Sequence, residues 1–267
     1  MINNKKLPVY YIPHGGGPCF FMDWEPKNTW DGLANYLTNF VNDIKGAIKS
    51  IVVISAHWEE NVTTITANPN PSLIYDYYGF PKHTYKLKWP AKGNLELANR
   101  IKDLLNKNNF ECNLDHLRGF DHGVFIPLLL TFPTPNIPTI QISLSKNLKS
   151  DFHLSVGKIL EPLRSEGILI IGSGMSSHNL DVMLRGAAGK GSKEFNEWLN
   201  NTVQLDFEKR NQLLIDWEQA PFARDNHPRE EHFIPLHVIA GAAGKDKGIV
   251  DFNFEALNSH ISSVKFG

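Results

Sequence analysis

Two short apolar runs constrain the fold of this chain more than any other feature. They are SIVVISA at Ser50 to Ala56 and ILIIGSG at Ile168 to Gly174. Neighbouring positions in both runs are apolar, which is typical of a central strand that is covered on both faces of a sheet. Shorter runs of strand-forming residues lie at Val9 to Ile12, Thr63 to Ala67 and Pro138 to Leu144. The sequence therefore predicts five strands, of which two are deeply buried.

Helical patterns separate most of these runs. Apolar residues recur at helical spacing in Asp31 to Lys45, Leu95 to Leu105 and Ser150 to Leu163. Three more helices are predicted later in the chain, at Phe195 to Val203, Phe207 to Trp217 and Phe233 to Ala243. Strands alternate with helices, and no repeat or linker interrupts them. We therefore expect one α/β domain over residues 1–267, with a largely parallel central sheet flanked by helices.

Composition excludes several classes of function. The 27 Lys and Arg residues balance 28 Asp and Glu residues, so no surplus of positive charge is available to bind nucleic acid. No apolar run approaches the roughly 20 residues that span a bilayer, and the first residues lack a signal-peptide core. We expect a cytosolic protein without membrane contact. Because Cys19 and Cys112 form no CxxC pair, any metal must be bound by histidines and carboxylates.

Histidines follow three of the predicted strands. His14 follows the first strand, His57 follows the second, and His178 lies shortly after Gly174. The ligand crevice of an open α/β sheet lies outside the carboxyl ends of its strands, so these imidazoles are expected to meet. His232 lies at the start of the last predicted helix, and His122 lies on a predicted loop. We leave the role of His237 open. Five other histidines are interpreted as ordinary structural residues, namely His83, His116, His153, His227 and His260.

Two rival motifs are incomplete. The HGGG sequence from His14 to Gly17 resembles the oxyanion loop of some lipases, but the chain has no Gly-x-Ser-x-Gly nucleophile elbow. Gly172 and Gly174 match half of a dinucleotide-binding fingerprint, but Ser177 stands where its last glycine is required. The sequence therefore favours neither a serine hydrolase nor a Rossmann cofactor site.

Seven motifs in order resemble the class III extradiol ring-opening dioxygenases, in particular the 4,5-DOPA dioxygenase extradiol branch. The motifs span Pro13 to Pro18, Ser55 to Trp58, Tyr75 to Pro81, Trp89 to Gly93, Gly119 to Leu128, Gly172 to Leu180 and His227 to Gly244. The resemblance implies a mixed central sheet and a reaction that inserts both atoms of O2 into a small catechol. It implies Fe(II) as the active metal, with Zn(II) as a frequent replacement.

The same resemblance implies roles for individual residues. The metal ligands would be His14, His57 and His232. His178 would act as the acid/base or as a fourth ligand, and His122 would contact substrate or oxygen. The aromatic loop from Asn68 to Gly93 would supply substrate-binding side chains, namely Tyr75, Tyr78 and Phe80.

Several alternatives stay open at this level. Glu230 or Glu231 could replace His232 as the third ligand, because iron oxygenases usually combine two histidines with a carboxylate. The function could instead be that of a non-redox scaffold or a Zn(II)-dependent hydrolase. DOPA and caffeate are the expected kinds of catechol, and the sequence offers three arginines that could hold a substrate carboxylate, namely Arg118, Arg185 and Arg229.

Overall fold

The computed structural model describes residues 6–185 and 191–267, and no side chain is described for Arg185. Eight strands in this part of the chain form one sheet: β1 (Val9–Pro13), β2 (Ser50–Glu60), β3 (Thr63–Thr66), β4 (Cys112–Asp115), β5 (Thr139–Ser145), β6 (Ile168–Gly174), β7 (Gly248–Ala256) and β8 (Ser259–Phe266). The helices are α1 (Asp31–Asn39), α2 (Leu95–Lys107), α3 (His122–Thr131), α4 (Ser150–Leu160), α5 (Leu180–Arg185), α6 (Ser192–Val203), α7 (Phe207–Ile215), α8 (Ala223–Asn226) and α9 (Ile234–Ala243). None of the described helices is both long and apolar enough to cross a bilayer.

The sheet is mixed but mostly parallel, as the sequence and the resemblance together predict. Its strand order is β4-β3-β5-β2-β6-β1-β8-β7. The central strands β5, β2, β6 and β1 all run in the same direction, whereas β8 pairs antiparallel with β1 and with β7. The carboxyl ends of β1, β2 and β6 therefore lie side by side at one edge.

Alternate residues of the central strands supply two separate cores. Val52 and Ile54 of β2 face the helices α4 and α9, whereas Ile51 and Val53 face α1 and α3. All four side chains are buried, because helices cover both faces of the sheet. The buried-strand interpretation of the apolar run from Ser50 to Ala56 is confirmed.

The structure corrects several element predictions. The second strand continues past His57 to Glu60, with a register shift against β5 between Ile54 and Glu59. His122 is the first residue of α3 rather than a loop residue. The strands β4, β7 and β8 were not predicted. The sequence does contain a pattern that is typical of a strand in β7, because apolar residues alternate with polar ones from Val250 to Ala256.

Buried neutral histidines predict acid sensitivity. His153 Nδ1 donates to Lys149 O at 2.7 Å, and His153 Nε2 accepts from the Ser145 N–H at 3.0 Å. Burial lowers the pKa of His153 from 6.5 to about 4. Between these values the unfolded chain binds a proton that the folded chain does not, so stability falls as the pH drops.

We expect the free energy of unfolding to decrease between pH 7 and pH 5, with His153 contributing about 2 kcal/mol of the loss. Denaturant titrations at both pH values check this for the wild type and for His153→Gln. The variant should lose less stability on acidification than the wild type. An equal loss in both proteins would contradict this explanation.

Candidate metal centre and its cavity

Three imidazoles converge at the carboxyl edge of the sheet. His14 follows β1 directly, and its backbone N–H donates to Gly174 O at the end of β6. The turn after it requires a glycine, because Gly15 has φ +81° and a Cβ there would lie 2.6 Å from Cys19 Sγ. His57 is presented by the irregular end of β2, and His232 lies in the turn before α9.

The geometry of these three side chains fits a bound cation. The His14 ring centroid lies 4.8 Å from that of His57 and 5.2 Å from that of His232, and the His57 and His232 centroids are 4.9 Å apart. One nitrogen from each ring lies within 4.8 Å of the others. The structure thus brings together all three metal ligands that the resemblance implies.

Hydrogen bonds on the far side of the ring set the tautomer of His14 and His232, and a carboxylate lies near Nδ1 of His57. His14 Nδ1 donates to Gly15 O at 2.9 Å, and His232 Nδ1 donates to Glu231 Oε1 at 2.8 Å. His57 Nδ1 lies 3.7 Å from Asp76 Oδ2. An acceptor beside Nδ1 places the proton there and leaves the Nε2 lone pair available to a metal. The Nε2 atoms of His14 and His57 lie only 3.2 Å apart, and within the described part of the chain the buried Nε2 of His232 has no hydrogen-bond partner.

All three rings are held in the neutral form. Burial lowers the pKa of His14, His57 and His232 well below 6.5, and the neighbouring histidines lower it further. Neutral imidazole is the form that binds metals such as Fe(II) and Zn(II).

The backbone of His232 is fixed from three sides. Its carbonyl oxygen accepts the Tyr11 hydroxyl at 2.8 Å and the Met175 N–H at 3.1 Å. A Cβ on Gly174 would lie 2.1 Å from the same oxygen, so glycine is required at the end of β6. The second buried strand therefore determines where the third imidazole stands.

His178 lies directly on His232. The two rings stack with a centroid separation of 3.5 Å and an interplanar angle of 15°. The backbone N–H of His178 donates to Asn226 O at 2.9 Å, which fixes the start of the loop before α5. Burial and, to a smaller extent, the nearby His122 lower the pKa of His178 from 6.5 to about 4. His178 is therefore a neutral imidazole beside the three convergent rings.

Asp76 is a site residue that the sequence analysis missed. Its Oδ1 accepts both the backbone N–H and the Nδ1–H of His122, each at 2.9 Å, while its Oδ2 faces His57. Burial raises the pKa of Asp76, but the hydrogen bonds and charge of His122 outweigh this effect and lower it. One carboxylate thus orients two histidines whose ring centroids lie 3.9 Å apart.

A buried network supports His57 from behind. Asp121 is fully buried and accepts hydrogen bonds from Ser55, Gln141 and Arg118. Arg118 also lies over the Trp58 ring, with its guanidinium carbon 4.4 Å from the centroid. This arginine therefore belongs to the scaffold of the site and does not line the cavity.

A cavity of about 390 Å³ opens in front of the five histidines. Three aromatic residues of the loop from Asn68 to Gly93 line it, namely Tyr77, Tyr78 and Phe80. Tyr75 is not among the lining residues, because its hydroxyl donates to Leu87 O and its ring packs against Phe125. A neighbouring cavity of about 520 Å³ shares Trp24 but contains none of these histidines.

The remaining histidines lie outside this cavity. Three of them are buried in the core and form hydrogen bonds to backbone carbonyl oxygens, namely His153, His227 and His237. His237, which the sequence left ambiguous, is therefore a structural residue. His83 contacts Phe21 O, and His260 lies in β8. Of the other two candidate arginines, Arg229 forms a two-point ion pair with Glu59, and the side chain of Arg185 lies outside the described part.

Comparisons with known proteins agree with this geometry. Residues 8–265 match the family described as the catalytic LigB subunit of aromatic ring-opening dioxygenase. The chain is 36% identical to the dioxygenase tasH of Hapsidospora irregularis, covering 97% of this chain and 85% of the relative. It is 40% identical to the 4,5-DOPA dioxygenase extradiol of Beta vulgaris over 74% of each chain.

A solved structure is similar over nearly the whole chain. The crystal structure of an uncharacterized Escherichia coli K12 protein superposes with a TM-score of 0.76 at 26% identity, covering 98% of this chain and all of that one. The motifs in order and the convergent histidines agree with the family match. The chain therefore belongs to the family of the catalytic LigB subunit of aromatic ring-opening dioxygenase, and it is an aromatic ring-opening dioxygenase.

Proposed function

We propose that this enzyme cleaves a small catechol beside its two hydroxyls at an Fe(II) ion held by His14, His57 and His232. The observation that carries the proposal is the convergence of three neutral imidazoles with acceptors beside each Nδ1. Bound Fe(II) would supply Lewis acidity toward the catechol oxygens and the electron transfer that activates O2. Three neutral ligands leave the site more positive than two histidines and a carboxylate, so Zn(II) can compete for it.

In this proposal Glu231 positions a ligand and is not itself one. Its Oε1 holds the Nδ1–H of His232, and its other oxygen lies 3.4 Å from Arg229 Nη1. A carboxylate behind a metal-binding histidine orients the ring and increases its basicity.

His178 is proposed as the acid/base. It faces the cavity beside His232, where a catechol hydroxyl must lie if the ring is to reach the metal. As a neutral imidazole it can accept that proton and later return it as the O–O bond breaks. His122, held by Asp76, also faces the cavity and would contact the substrate or oxygen.

The chain is further proposed to act as a single catalytic domain in the cytosol. One sheet spans the described residues from β1 to β8, and both cysteines are free and buried. Free thiols are typical of reducing compartments.

The proposal is tested by loading metal-free protein with Fe(II) under anaerobic conditions and adding catechol and O2. We expect O2 consumption that matches the appearance of the coloured ring-opened semialdehyde. A parallel sample loaded with Zn(II) should consume no O2. Ester or amide hydrolysis by the Zn(II) form, with no O2 consumption by the Fe(II) form, would instead support a hydrolase.

Replacing Asp76 with asparagine tests its positioning role. Asparagine keeps the size of the side chain but removes the charge that holds both His122 and His57. We expect kcat to fall about 10-fold to 100-fold with little change in KM or in thermal stability. Steady-state kinetics and thermal melts on the same samples check this. A loss of stability that accounts for the loss of activity would contradict the assigned role.

A further inference from the structure

We propose that the cavity favours catechols whose substituent is uncharged close to the ring. This inference rests on the proposed function and names the substrate class of that same site. It differs from the expectation drawn from DOPA and caffeate, both of which carry a carboxylate. The carrying observation is an apolar outer wall around an inner end made of five histidines.

The two ends of the cavity differ in chemistry. The inner end holds the five imidazoles and the backbone of Gly15 to Gly17, where the catechol oxygens would bind. The remaining lining side chains are aromatic, Leu or Met, and among the described lining residues none is Asp, Glu, Lys or Arg. A ring whose hydroxyls face the histidines therefore directs its substituent toward apolar side chains.

The outer wall exposes large apolar groups to solvent. Tyr78 is 87% exposed, Leu184 is 66% exposed and Leu180 is 54% exposed, although surface positions commonly carry polar residues. Leu257 lines the same cavity from the turn between β7 and β8 with φ +51°, a backbone conformation that leucine rarely adopts. An exposed apolar rim around a cavity is typical of a surface that binds an apolar partner group.

Among the described residues, no Lys or Arg lines the cavity where it could neutralise a buried substrate carboxylate. Arg118 is held by Asp121 and the Trp58 ring, and Arg229 is held by Glu59. A carboxylate moved from water into such a cavity loses hydration without gaining a partner, and this costs binding free energy. This cost in binding free energy should be smaller when the carboxylate lies farther from the catechol ring, because it is then closer to the solvent-exposed mouth of the cavity.

The test compares acids with their own methyl esters, because each pair has the same carbon skeleton and differs chiefly in charge. With the Fe(II)-loaded enzyme we expect kcat/KM for methyl 3,4-dihydroxyphenylacetate to exceed that for the free acid by at least about tenfold. The preference should be smaller for 3-(3,4-dihydroxyphenyl)propionate and its ester, whose charge lies one carbon farther out. Equal rates within a pair, or faster turnover of the acids, would overturn the inference.

A rim variant tests where the selectivity originates. Leu184→Lys adds a cation at the mouth and should raise the ratio of kcat/KM for each acid to kcat/KM for its ester several-fold. Leu117→Lys is the matched control, because Leu117 is 87% exposed and does not line the cavity. If Leu184→Lys behaves like the control, the assignment of selectivity to this rim is wrong. Failure of all four compounds to consume O2 with a filled metal site would instead refute the proposed function.

Discussion

His232→Ala is expected to abolish stoichiometric iron binding and ring cleavage together. The buried Nε2 of His232 has no hydrogen-bond partner among the described residues, and Tyr11, Met175 and Gly174 fix the backbone that presents it. Removing the ring leaves only two imidazoles at the site. We expect metal affinity to fall more than about 100-fold, since even the loss of a residue that only supports a ligand costs 10-fold to 100-fold.

Glu231→Gln provides the decisive comparison. Glutamine can still accept the Nδ1–H of His232 but lacks the charge of the carboxylate, so the variant should bind iron about 10-fold to 100-fold more weakly and remain active at saturating metal. Metal content after anaerobic loading, measured over a series of chelator concentrations, separates the two variants. If His232→Ala keeps a full complement of iron and Glu231→Gln loses it, the carboxylate is the ligand and our assignment is wrong.

His178→Gln is expected to lower kcat by about 100-fold to 10,000-fold while iron binding stays intact. Glutamine retains hydrogen-bonding groups but cannot accept and return a proton as an imidazole does. The exposed His116, which does not line the cavity, offers His116→Gln as a control with unchanged kcat.

Two measurements on His178→Gln identify its role. Iron content should match that of the wild type, and catechol should still bind to the anaerobic protein. An iron content reduced in proportion to the activity would make His178 a fourth ligand rather than the acid/base.

The sequence predicted the parts of the site that strands position. A histidine that follows a strand is located by the strand itself, so the sequence pattern alone was enough to predict that His14 and His57 converge. The buried run that ends at Gly174 was equally clear, because both of its faces are apolar. The same reasoning predicted that His178 would join them, the motif resemblance assigned roles to His122 and His232, and the structure brings all five rings to one cavity.

The supporting residues could not be predicted in the same way. Asp76 lies on a loop without periodicity, and its contact with His122 joins positions 46 residues apart in the chain. Whether Glu231 binds the metal or orients His232 depends on a difference of a few ångströms that spacing does not encode. Tyr75 and Tyr77 have identical side chains two residues apart, and only packing against Phe125 and Leu87 directs Tyr75 away from the cavity.

The central claim is that both atoms of O2 enter the opened ring. The most direct measurement supplies O2 labelled with the heavy oxygen isotope to the Fe(II)-loaded enzyme and a catechol, and reduces the product aldehyde at once, before its oxygen exchanges with water. Mass spectrometry of the product should then find two labelled oxygen atoms, one in the carboxylate and one in the new alcohol. A product with one labelled atom, or with oxygen taken only from water, would contradict the account.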